Sequence, residues 1–142
     1  MIPLTMAKAK IVLDTSVLIA GSRSRRGAAF VLLSSVGTGR FDIALSVPLV
    51  LEYEAVLRRQ VKESDIKDLL DYLCAVAIRQ EVFYLWRPYL RDPKDDMVLE
   101  LAVASNCEAI ITYNQRDFAG VEGFGLRVLT PAEFLNEIGG PL

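Results

Sequence analysis

At 142 residues, 52% apolar and 24% charged, the chain is long enough for one domain with its own core and too apolar for a disordered segment. A formal charge of −2 excludes a molecule-wide basic field for gripping nucleic acid and leaves only local basic patches. The absence of histidine excludes Ser-His-Asp and Cys-His catalysis, histidine-based ribonucleases and imidazole zinc sites.

The elements alternate along the chain. Residues 1–9 read as a loosely ordered extension of a single domain spanning 1–142. Residues 10–14 (KIVLD) form an apolar run ending at an acid, a buried strand. Residues 21–27 (GSRSRRG) read as a basic loop and 28–36 as a helix stopped near Gly37 and Gly39. Residues 41–46 (FDIALS) are a second strand. Ser46 as cap and Pro48 in the first turn then open a helix to about Gln60. A helix over 64–78 follows, then a third strand at 81–85 (EVFYL). Asp92-Pro93 opens a helix to about Asn106. Residues 108–112 (EAIIT) and 126–129 (LRVL) are the fourth and fifth strands. Thr130-Pro131-Ala132-Glu133 combines a capping box with proline at the first helical position.

Apolar strands alternating with helices predict an α/β domain whose parallel sheet is covered on both faces. Two cysteines, Cys74 and Cys107, have neither metal-knuckle spacing nor a disulfide framework. No segment approaches the roughly 20 apolar residues of a spanning helix. Residues 1–10 lack the apolar run of a signal peptide. A soluble protein of a reducing, cytoplasmic compartment, with no membrane association, is expected.

In such sheets functional groups collect beyond the carboxyl ends of the strands. Here those positions are rich in acids. Asp14 directly follows an apolar strand, where an unpaired charge is costly. Asp92 suits a helix N-cap and Asp95 the first turn. Asp92, Asp96 and Glu100 follow at i, i+4 spacing, where like charges repel. Glu54 has Arg58 at i+4, the favourable order for a surface pair, whereas Glu52 has no partner within its helix and borders the core-facing stripe of Leu49, Tyr53, Val56 and Leu57. Glu52 is therefore the better ligand candidate. Asn114 and Asp117 follow the fourth strand. Carboxylates converging on one pocket need a counter-charge. With oxygen donors only, a hard cation such as Mg²⁺ or Mn²⁺ fits, and metal-assisted phosphodiester hydrolysis is the chemistry such a site suits.

These segments, Val12-Leu13-Asp14-Thr15-Ser16-Val17-Leu18, Ser46 through Glu52 to Leu57, Arg91-Asp92-Pro93-Lys94-Asp95-Asp96, Ile111-Thr112-Tyr113-Asn114-Gln115-Arg116-Asp117-Phe118 and Thr130 to Leu135, together resemble the PIN-domain family, in particular its VapC-like toxins. The likeness runs from about Lys10 to Ile138. It implies a three-layer α/β/α sandwich with a mostly parallel sheet of about five strands. It also implies a Mg²⁺- or Mn²⁺-dependent endoribonuclease, the toxin of a type II toxin–antitoxin pair. By that resemblance the catalytic and metal-holding acids fall on Asp14, Glu52 and Asp96, with the fourth on Asp117 or, by another alignment, Asn114. Asp92 and Asp95 are accessory acids. Many relatives have Asn where this chain has Ser16. Thr15, Ser16, Asn114, Arg116 and Arg25 are candidate contacts to an RNA substrate. A small antitoxin protein and a second copy of the chain are the expected partners. Leu69, Leu70, Leu73 and Val76 are candidates for an exposed apolar stripe where such a partner would dock.

Other classes fit less well. A haloacid-dehalogenase-type phosphatase needs Asp-x-Asp after its first strand, and position 16 is Ser. A receiver domain needs an acid ending its third strand and a lysine after a later one, and no lysine follows Lys94. A PIN fold that binds RNA or a partner without cutting is the remaining alternative.

Overall fold

The computed structural model describes residues 8–82 and 89–139. Five parallel strands, β1 (Ala9–Leu13), β2 (Phe41–Leu45), β3 (Ile78–Arg79), β4 (Ala109–Ile111) and β5 (Arg127–Leu129), lie in the order β3-β2-β1-β4-β5. Six helices complete a three-layer α/β/α sandwich: α1 (Thr15–Arg23), α2 (Ala28–Ser35), α3 (Val47–Leu57), α4 (Glu63–Val76), α5 (Pro93–Ala104) and α6 (Pro131–Glu137).

Burial on both faces explains the apolar strands. Ile11, Val12 and Leu13 of β1, Ile43 and Ala44 of β2, and Ile110 and Ile111 of β4 are all buried. Helix α5 packs on β1, β2 and β4 through Val98, Leu99, Leu101 and Ala102, and α6 packs on β5 and α2. The helix starts follow the expected cap chemistry. The Ser46 hydroxyl accepts from Leu49 N, the Asp92 carboxylate accepts from Lys94 N, and Thr130 and Glu133 form a reciprocal capping box.

Three expectations are corrected. The third strand lies at Ile78–Arg79, immediately after α4, and pairs with Ala44 and Leu45. Glu81 and Val82 are outside any strand, and the rest of the expected 81–85 run lies outside the described residues, as do residues 1–7 of the expected extension. The basic loop begins later than residue 21, because α1 continues to Arg23. At Gly21 the two helices approach closely: a Cβ there would meet the end of the Leu33 side chain of α2. Finally, Leu70 and Leu73 belong to the core rather than to an exposed stripe. The amphipathic face of α4 turns them inward and leaves only Leu69 and Val76 partly open.

The chain builds β1, β2 and β3 in one direction and then crosses back to place β4 and β5 on the other side of β1. The switch point therefore falls between the carboxyl ends of β1 and β4, the crevice where open α/β sheets bind their ligands.

Candidate active site

Asp14 and Thr112 stand on the two sides of that crevice, each one residue past its strand. Asp14 N donates to Ile111 O (2.9 Å), which ties the end of β1 to β4. The Asp14 carboxylate is buried. Its Oδ2 accepts from Ser16 Oγ and from Thr112 Oγ1, both at 2.8 Å, while Oδ1 has only a 3.5 Å contact from Thr15 Oγ1. Asp14 occupies the N-cap position of α1 yet makes no side-chain cap bond, so the simple capping role does not describe it. Two hydroxyls offset the cost of burying the charge on one oxygen and leave the other lightly engaged. The hydroxyls are themselves anchored: Thr112 Oγ1 accepts from Asn114 N (2.9 Å), and Ser16 Oγ accepts from Tyr113 N (3.1 Å). The Ser16 hydroxyl thus has a donor and an acceptor partner inside the protein, which makes it a support for Asp14 more than an open substrate contact. From α3, the Tyr53 hydroxyl donates to Leu13 O and fixes the strand end next to Asp14. Burial first, and then the Asp14 charge, push the Tyr53 hydroxyl well above its usual pKa, so it stays a donor.

The first turn of α5 brings the second group of acids. Asp92 is exposed and spends one oxygen on capping. Asp96 is buried. Its Oδ1 accepts from Leu90 N (2.8 Å) and Tyr89 N (3.2 Å), whereas Oδ2 is buried with no hydrogen-bond partner among the described residues. Asp95, half-buried between them, has its pKa pushed up to about 7. Loss of solvent is the largest cause, followed by the charges of Asp14, Asp92, Asp117 and Asp96. Glu100, one turn on, is raised as well, by burial and by Asp96. Asp95, read from sequence as an accessory, is therefore the residue on which the fields of the other acids converge.

The remaining candidates divide. Asp117, on the short turn Gln115–Phe118 after β4, lies close enough to act on Asp95. Asn114 is exposed, with its backbone amide on Thr112. Glu52 is 15% exposed against 42% for Glu54, and Glu54 pairs with Arg58 as the spacing predicts. Glu52 does have a partner, from another helix: Lys94 Nζ lies 3.5 Å from its Oε2. Arg116 beside Asp117 and Arg25 between α1 and α2 are exposed, and their side chains make no hydrogen bond or ion pair among the described residues. Tyr89 packs edge-to-face on Phe124 with ring centroids 5.1 Å apart.

Sequence reasoning missed the roles of Thr112, Lys94 and Tyr53. A threonine closing an apolar strand looks like strand, and only the β1–β4 pairing puts it against Asp14.

No three acids among the described residues converge closely enough to ligate one ion as they stand. Three features nonetheless suit a hard divalent cation: oxygen-only donors, the unpartnered buried Oδ2 of Asp96, and the neighbouring acids that, after loss of solvent, raise the pKa of Asp95.

A PIN-domain family model matches residues 10–116. Among solved structures, the chain is similar to VapBC2 from Rickettsia felis bound to a DNA fragment from their promoter. The match has a TM-score of 0.59 and 14% identity, and it covers 84% of this chain and 98% of that one. No curated protein matches. Among the described residues no helix is long and apolar enough to cross a membrane.

Proposed function

The chain belongs to the PIN-domain family, and from that membership we propose that it is an endoribonuclease dependent on Mg²⁺ or Mn²⁺ and the toxin of a type II toxin–antitoxin pair. The observation that carries the reading is the acidic field at the β1–β4 crevice, where Asp14, Asp92, Asp96 and Asp117 together act on Asp95. Asp14, Glu52, Asp96 and Asp117 would hold the cation, with Asp95 and Asp92 in the next ring. When bound, such a cation polarises a phosphoryl oxygen and makes water a better nucleophile.

The chain's own residues prepare that site. Ser16 and Thr112 hold Asp14 through Oδ2, leaving Oδ1 with only the longer Thr15 contact. Tyr89 and Leu90 amides hold Asp96 through Oδ1, leaving the buried Oδ2 without a hydrogen-bond partner among the described residues. Thr15, Asn114, Arg116 and Arg25 would meet the RNA, the two arginines through phosphate. For the antitoxin, support comes from an apolar groove of about 690 Å³ beside α3, lined by Val47, Val50, Leu51 and Val82 among others. Val47 and Leu51 are exposed there, which suits an apolar segment of a small protein partner. A homodimer in the cytoplasm completes the reading.

The alternative reading is a PIN fold that binds RNA without cutting it. Cleavage of single-stranded RNA by the purified protein, in Mn²⁺ and in EDTA, separates the two. Asp14→Asn and Glu52→Gln should each lower kcat by about 100-fold or more, while Glu54→Gln stays near wild type. Cleavage that survives EDTA, or equal losses at Glu52 and Glu54, would refute the assignment.

A further inference from the structure

Lys94 is in an unfavourable place for an ordinary surface lysine. It lies in the first turn of α5, where the helix dipole disfavours a cation. Asp92, Asp95 and Asp96 flank it in sequence, and its backbone amide is bound by the Asp92 carboxylate (2.9 Å), which fixes the base of the side chain. Its ammonium reaches Glu52 on α3, 3.5 Å away, with Lys94 54% exposed and Glu52 15% exposed. Glu52 is thus held by a cation from a neighbouring helix.

Resting on the cation-dependent reading above, we propose that Lys94 is an exchangeable counter-ion. It pairs with Glu52 in the metal-free protein, releases Glu52 to a divalent cation, and then contacts a phosphate of the RNA. The lysine end of the pair is open to solvent, where such a charge is screened and exchanges easily. The four-carbon stem carries a point charge that can swing from a carboxylate to a phosphate without moving the backbone.

The test uses the full chain and Lys94→Gln. Mn²⁺ binding is read by the EPR signal of the free ion, and RNA binding from KM for a labelled single-stranded oligonucleotide over a range of salt. Losing the competitor should tighten Mn²⁺ binding by roughly 2- to 5-fold. Losing a phosphate contact should raise KM and flatten the salt dependence by about 0.7 of a log unit per log unit. Lys94→Arg should restore both, and Arg58→Gln, which removes the same charge from the Glu54 pair, should alter neither. Mn²⁺ bound no more tightly by Lys94→Gln than by wild type, or an unchanged salt slope, overturns the proposal while leaving the nuclease reading standing. A wild-type protein that binds no Mn²⁺ overturns both.

Discussion

Replacing Asp95 by Asn should stabilise the metal-free protein, and by an amount that depends on pH. The folded carboxyl releases its proton at about 7, against an ordinary value of 3.8. The folded state therefore keeps a proton that the unfolded state has already lost, and wild-type stability falls as pH rises from about 4 to about 7, then levels off. At about 1.4 kcal/mol per pH unit the full effect would be about 4 kcal/mol. The side chain is only partly buried, so solvent screening reduces this to about 1–2 kcal/mol. Asparagine carries no charge to repel, although it forfeits about 0.3–1 kcal/mol of interaction with the helix dipole. Urea unfolding in EDTA should show Asp95→Asn more stable than wild type by about 1 kcal/mol at about pH 8, with the gain shrinking below half of that at about pH 4.5. A variant that is less stable at both pH values, or equally stabilised at both, would show that Asp95 does not sit in the field of Asp14, Asp96 and Asp117.

Thr112→Val keeps the shape of a fully buried side chain but removes one of the two 2.8 Å hydroxyl bonds to Asp14 and the acceptor for Asn114 N. It should cost about 1–3 kcal/mol in urea unfolding and lower kcat more than it raises KM. Asp92→Ala removes the cap of α5 and should cost about 1 kcal/mol while cleavage stays within a few-fold of wild type; a loss as large as that of Asp14→Asn would make Asp92 a ligand.

Legibility followed sequence distance. Asp14 stood out because a charge directly after an apolar strand needs an explanation, and the structure supplies one in two hydroxyl donors. Glu52 and Glu54 were separable because the Arg58 partner of Glu54 is local, four residues away; the Lys94 partner of Glu52 comes from another helix and has no local signature. The same holds for Thr112, which meets Asp14 only through the parallel pairing of β1 with β4. Caps at Ser46, Asp92 and Thr130 were readable because capping is chemistry within one turn. The short edge strand β3 was not, since two exposed residues pairing with β2 carry no alternation. Distinguishing Asp95 from Asp96 required burial: one points into the shared field, and the other folds back onto the amides of Tyr89 and Leu90.

The most direct measurement maps the ends of an RNA oligonucleotide cut by the purified protein in Mn²⁺. The chain has no histidine to take the proton from a ribose 2′-hydroxyl. Attack by water is therefore expected, leaving 5′-phosphate and 3′-hydroxyl ends, with cleavage abolished by EDTA and by Asp14→Asn. A 2′-methoxy group at the cut site should slow the reaction without forbidding it. Cyclic 2′,3′-phosphate ends, or cleavage indifferent to both EDTA and Asp14→Asn, would contradict it.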